Sequence, residues 1–195
     1  LTSQGPSGGE NHPSNSGAKS TPAPVKRRGP EVQRAAVALP PEGFALAERL
    51  PEALAAHEVE VGAAIDEVVC RGPADHLVDV CRQLKDDPTF GFDYLRLLTV
   101  VDYVEQDGEF EVVYHLYSMT HRHKMMVKTR LPERRPSISS VTGVWRGADW
   151  YEREMHDLFG VEFNGHPNLV PLVLPDDFDG FPGRKNYPLN DYEEW

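Results

Sequence analysis

Apolar residues in this chain change their spacing several times, and each change marks a new element. Between residues 41 and 57, Phe44, Ala47, Leu50 and Leu54 recur at helical intervals and predict a helix, which Pro51 kinks or restarts as a second turn. Val59 and Val61 alternate with glutamates, and Val68-Val69-Cys70 follow a break at Gly62, the pattern of two short strands. Residues 73–85 return to helical spacing through Leu77, Val80, Cys81 and Leu84, with Pro73 in the first turn. Residues 95–104 and 110–117 read as strands joined through Asp107-Gly108, a strong hairpin signal. Residues 124–131 alternate: Met125, Val127, Thr129 and Leu131 face a core, while Lys124, Lys128 and Arg130 face water. The predicted fold class is α+β, a two-layer domain over residues 41–160 with helices on one face of a mixed β-sheet.

Residues 149–160 predict a further helix with its own start and stop. Asp149 and Glu152 have the spacing of a capping box, and Gly160 supplies a left-handed terminus. Tyr151, Met155 and Leu158 or Phe159 share one face, and Arg153 and Asp157 stand four apart, where they can pair on another. Glu152 and Glu154 point about 200° apart, so a catalytic carboxylate dyad is excluded. Beyond the helix, five prolines and four glycines between residues 160 and 190 exclude any long helix or central strand. That stretch still carries Phe163, Leu169, Leu172, Val173, Leu174, Phe178, Phe181, Tyr187 and Leu189, more apolar surface than a disordered linker holds. Two readings stay open for this extended C-terminal strap over residues 161–195: it docks on a neighbouring protein, or it folds back over its own core.

Composition narrows the functional classes. Residues 1–40, rich in Ser, Gly, Pro, Asn and Thr, predict a disordered arm whose five cations outweigh Glu10 and Glu31, so the net charge of −11 leaves −14 on the rest. That surface disfavours nucleic acid and anionic lipid and favours basic protein partners. No stretch has the length and hydropathy of a membrane span. Cys70 and Cys81 are too few for a disulfide framework or an iron–sulfur cluster and are expected to be buried thiols.

The residues then carry a resemblance. Residues 150–163, Gly165-His166-Pro167, Pro175-Asp176-Asp177, Gly180, Arg184-Lys185 and Tyr187-Pro188-Leu189 agree in order and spacing with a known signature. With Leu84-Lys85-Asp86-Asp87-Pro88, residues 99–103 and Pro136-Ser137-Ile138, the chain resembles one family of NADH-quinone oxidoreductase subunits, the thirty-kilodalton subunit of respiratory complex I, over residues 58–190. The resemblance implies a non-catalytic peripheral-arm subunit of a proton-translocating enzyme, holding no cofactor itself, with FMN, iron–sulfur clusters and quinone in partner subunits. It implies contacts with the subunit that forms much of the quinone cavity and with neighbouring cluster-bearing subunits. It also implies a peripheral place on the cytoplasmic side of a bacterial inner membrane, or alternatively on the matrix side in mitochondria. Matched to the motif, Glu152, Arg153, Glu154, Asp157, Phe159, His166, Arg184 and Lys185 are the expected contacts between subunits.

Departures from the pattern shape the alternatives. Val170-Pro171 stands where the family usually has two arginines, and Phe181, Gly183 and Asn186 replace other usual residues, so the strap is expected to bind more by apolar contact than by ion pairs. An equivalent subunit of a membrane-bound hydrogenase, or of a dehydrogenase fed by ferredoxin or a deazaflavin, is the nearest alternative. From another class, His121 and His123, with His115 nearby, suggest a metal-dependent hydrolase.

Overall fold

The computed structural model describes residues 39–188. The expected arm therefore lies outside the described residues except for its last two positions, and so does Leu189 of the strap. Five strands form one mixed sheet: β1 (Glu60–Ala64), β2 (Glu67–Arg71), β3 (Tyr94–Asp102), β4 (Glu109–Tyr117) and β5 (Lys124–Pro132). Their order is β1-β2-β5-β4-β3. Only the β2/β5 pair is parallel; the other neighbours are antiparallel, as short connections allow.

Register aligns the apolar positions into one buried layer. Leu98, Tyr114 and Val127 lie across three strands, and Val127 in turn faces Cys70 of β2. A bulge between Leu95 and Leu97 takes up one residue, so that Leu95 and Leu98 both reach the core although they are three apart. Helices α1 (Pro41–Ala53), α2 (Leu77–Asp86) and α4 (Ala148–Phe159) cover this layer with Leu46, Leu50, Leu77, Val80, Leu84 and Met155. Between α2 and β3, Phe90 and Phe92 are buried, and Trp145 donates its indole N–H to the Phe92 carbonyl at 2.9 Å. Both cysteines are buried, and burial pushes the Cys70 thiol up to about 12.

Three local expectations need correction. On α1 the buried stripe is Gly43, Leu46 and Leu50, and Phe44 is 58% exposed, because the helix is rotated by about one position to send the larger Leu46 inward in place of Ala47. Pro51 lies in its last turns, and a 3-10 turn over Ala55–His57 follows. Strands β3 and β4 are joined by a single helical turn, α3 (Val104–Asp107), and not by a two-residue hairpin. Asp102 accepts the Val104 amide at 2.8 Å, which starts the turn, and Gly108 ends it at φ 73°. The third correction concerns α4: Gly147 occupies the cap without a side-chain bond, so no capping box forms. The Glu152 carboxylate is drawn instead to the Val141 amide at 2.7 Å. The stop is as expected, with Gly160 at φ 70° donating to the His156 carbonyl at 2.8 Å.

A small second sheet pairs β6 (Ser137–Ser139) in parallel with β7 (Glu162–Asn164), directly after α4. Phe163, paired with Ile138, is buried, and so is Val161 just before β7. The start of the strap is thereby tied to its own domain.

Candidate docking site

An extended segment rich in proline cannot satisfy its backbone within a ladder, so its polar groups need partners elsewhere. Helix α4 supplies them. Arg153 donates through Nε to the Val170 carbonyl and through Nη2 to the Pro171 carbonyl, both at 3.0 Å. One turn further, Asp157 Oδ2 accepts the amides of Leu172, Val173 and Leu174 at 3.1, 2.8 and 2.8 Å. Burial of Asp157 acts to raise its pKa, but the three amides outweigh it and hold the carboxyl below the usual range. The pairing of Arg153 with Asp157 expected from their spacing is therefore replaced: each side chain takes strap backbone groups of opposite polarity.

The strap is held at three more points. His166 accepts the Asn168 amide on Nδ1 at 3.0 Å, which puts the proton of the neutral ring on Nε2, 3.3 Å from the Asp149 carbonyl. Farther on, Arg184 donates to the Phe159 carbonyl at 2.8 Å, and its guanidinium lies 4.6 Å from the Phe181 ring centre and 5.1 Å from that of Phe110. Gly183 makes this approach possible, since a Cβ there would stand 2.9 Å from the Leu158 carbonyl oxygen. The amide of Lys185 is taken by Asp102 at 2.9 Å, across 83 residues of sequence. Its ammonium sits 6.0 Å from the Tyr103 ring centre.

The eight expected contact residues thus fall along α4 and its strap, but they do not all face outward. Glu152 is fully buried, a correction to its place on an exposed face: one carboxylate oxygen meets the Val141 amide and the other has no hydrogen-bond partner. Burial pushes its pKa up to about 7, with Asp149 adding to the rise and Ser140 and the Val141 amide opposing it. Phe159 packs edge-on to Phe110 with ring centres 6.4 Å apart, and Glu154 is half-buried. Arg153, Asp157, His166, Arg184 and Lys185 shape the strap. Large apolar side chains also stay exposed here: Trp150 on α4, with Val170 and Val173 on the strap. Sequence reasoning includes the two valines only in general terms and misses Trp150 and Asp102, since a short sequence window cannot show that the strap returns along α4.

The histidines do not converge. His121 and His123 stack with ring centres 5.3 Å apart, and their Nε2 atoms meet the Pro88 and Phe90 carbonyls at 2.8 and 2.9 Å. His115 instead lies 3.7 Å from Glu67. The hydrolase alternative therefore loses its three-histidine geometry, and among the described residues no group of three or more His, Cys, Asp or Glu is placed to hold a metal ion.

Comparisons with known proteins agree with this architecture. A family model described as the respiratory-chain NADH dehydrogenase 30 kDa subunit matches residues 70–193. The C subunit of NADH-quinone oxidoreductase from Roseiflexus sp. (strain RS-1) is 46% identical over 115 residues, covering 59% of this chain and 66% of the relative. The protein of the same name from Methylobacterium sp. (strain 4-46) is 39% identical over 150 residues, 77% of this chain and 69% of the relative. The chain thus spans about two thirds of the length of the curated relatives it matches. Among solved structures, a chain of the membrane-bound sulfane sulfur reductase, an archaeal respiratory membrane complex, aligns with a TM-score of 0.66 and 28% identity, covering 78% of this chain and 96% of that one. A trypsin-resistant fragment of Nqo5 aligns at 0.54 and 29% identity, covering 64% and 98%. The fold is shared with chains of an archaeal respiratory membrane complex and of Nqo5. The chain belongs to the respiratory-chain NADH dehydrogenase 30 kDa subunit family.

Proposed function

We propose that this chain is a non-catalytic, peripheral-arm subunit of a proton-translocating NADH-quinone oxidoreductase, in which electrons pass from NADH to quinone through partner subunits. The observation that carries the reading is the clasped strap, whose backbone is fixed by Arg153 and Asp157 while Trp150, Val170 and Val173 stay exposed. A fixed, apolar, solvent-facing segment loses little entropy on docking. Its neighbours in the arm are the quinone-cavity subunit and cluster-bearing subunits, and FMN, the clusters and quinone belong to those partners. Attachment to the cytoplasmic side of a bacterial inner membrane runs through the complex; no helix among the described residues is long and apolar enough to cross a membrane. The mitochondrial matrix side is the alternative.

Glu154, Arg153, Asp157, Phe159, His166, Arg184 and Lys185 enter the reading as residues that build or border the docking face, and Glu152 as one that supports it from beneath. Replacing Arg153 by Ala should free the Val170 and Pro171 carbonyls, leave the sheet folded, and lower both co-purification with the complex and NADH-quinone reductase activity of membranes severalfold. Normal assembly and turnover in that variant would remove the strap from the interface.

A second reading, a subunit of a related respiratory membrane complex with a different electron donor, draws on the alignment with the archaeal sulfane sulfur reductase chain. The composition of the native complex decides between them: a flavin-bearing subunit that oxidises NADH supports the first, and its absence supports the second.

A further inference from the structure

The outward chemistry of the strap is one-sided. Residues 167–183 contain three carboxylates, Asp176, Asp177 and Asp179, and no Lys or Arg. All three are exposed. The cations that follow them are turned to their own domain, Arg184 against the rings of Phe110 and Phe181 and Lys185 toward the Tyr103 ring. No neutralising charge for the three carboxylates therefore comes from within the strap itself.

Helix α4 and the strap also carry exposed apolar side chains. Five of the ten large hydrophobics exposed among the described residues lie here: Trp150 on α4, and Val170, Val173, Phe178 and Phe181 on the strap. Trp150 and the strap are continuous through Arg153, whose guanidinium stands 5.8 Å from the Trp150 ring centre while it holds the Val170 and Pro171 carbonyls. The Asp157 turn sets which side chains look out, with Leu172 and Leu174 half-buried and Val173 57% exposed. Phe178 is steadied by stacking on Tyr187 at 6.1 Å between ring centres.

We propose, resting on the reading of this chain as a docking subunit, that Trp150 and the 167–183 strap seat in an apolar groove of one neighbouring protein subunit whose rim carries Lys or Arg opposite Asp176, Asp177 and Asp179. Charge complementarity selects this occupant. An anionic lipid surface or a nucleic acid meets three like charges on the strap and a chain of net charge −11, and both are repelled. A purely apolar groove would strand three carboxylates without partners at its edge, at a cost that cationic rim groups remove. The valines and Trp150 contribute the buried contact, and the aspartates set register and partner choice.

Photo-cross-linking in the intact membrane complex tests the assignment. The full chain carries p-benzoylphenylalanine at Val173 or at Phe178, with Phe44 of α1 as an exposed reference position. Both strap probes are expected to capture the same neighbouring subunit, within a peptide that contains Lys or Arg. The variant D176N/D177N/D179N should be retained in the complex about tenfold less well at low salt, and its retention should depend less on salt than that of the unsubstituted chain. Capture of a neighbour at a peptide without cations, or unchanged retention of the triple variant at every salt concentration, overturns the charged groove and leaves the docking role standing. Capture of lipid or of a second copy of this chain overturns the proposal. If no position captures a subunit of the complex and the chain does not co-purify with one, the docking role falls as well.

Discussion

Glu152 shows how far a residue's role can lie from its pattern. Its spacing from Asp149 suggests a cap and its sequence neighbours suggest an exposed face, yet it is fully buried against the Val141 amide. Burial raises the folded pKa to about 7 from 4.5, so the folded protein holds this proton over a range in which the unfolded chain has released it. Stability from this group is complete below pH 4.5, falls as the pH rises toward 7, and is flat above. Glu152→Gln keeps an oxygen acceptor for the Val141 amide and removes that slope. The difference in unfolding free energy between variant and parent, measured by urea titration, should move in the variant's favour by about 3 kcal/mol between about pH 4.5 and about pH 8. A difference independent of pH would show that Glu152 does not titrate in this range. Nearby, the hydroxyl of Tyr114 is buried without a hydrogen-bond partner, and burial, with Cys81 and Glu152 adding to it, keeps its pKa well above normal.

Among the elements, the β1/β2 hairpin departs most from local preference. Ala64 pairs with Glu67, leaving Ile65 and Asp66 as a two-residue turn, and Ile65 adopts φ 61°, a left-handed conformation disfavoured for a β-branched residue. Ile65 is 74% exposed, so little packing offsets the strain. Ile65→Gly should raise the stability of the isolated chain by about 0.5–1 kcal/mol, read as a higher urea midpoint at unchanged slope. A lower midpoint would mean that Ile65 makes contacts worth more than its backbone strain. Strand β5 departs in a milder way. Its Lys124, Lys128 and Arg130 face away from the helices as the alternation predicts, but they meet Glu67 and Glu111, two nearly buried carboxylates, at 3.0–3.3 Å. Alternation places the cations on a face; only strand order brings β2 and β4 to either side of them.

At the scale of the whole molecule, sheet and strap are expected to have separate stabilities. The sheet is held by long ladders and a buried apolar layer, whereas the strap is held by a few side-chain bonds near the surface. Gly183→Ala would drive a methyl group into the Leu158 carbonyl and the Phe159 ring. Hydrogen exchange should then speed up at least about tenfold over residues 183–187, while β4 and β5 keep their protection. Equal loss of protection in strap and sheet would make them one cooperative unit.

Much of this architecture is legible from short-range pattern. The α2 stripe, the β5 alternation, the Gly160 terminus and the α+β class follow from side chains within a turn or two of one another, where helical and strand periods act directly. The apolar residues of the strap likewise signal a segment that must cover or be covered. Tertiary structure alone decided which backbone groups Arg153 and Asp157 hold, that Asp102 reaches Lys185, that Glu152 lies inside, and that Trp150 remains outside. Those contacts join residues 11 to 83 positions apart, or depend on what leaves a helix face uncovered. Their geometry is set by the packing of the whole sheet, to which no local spacing has access.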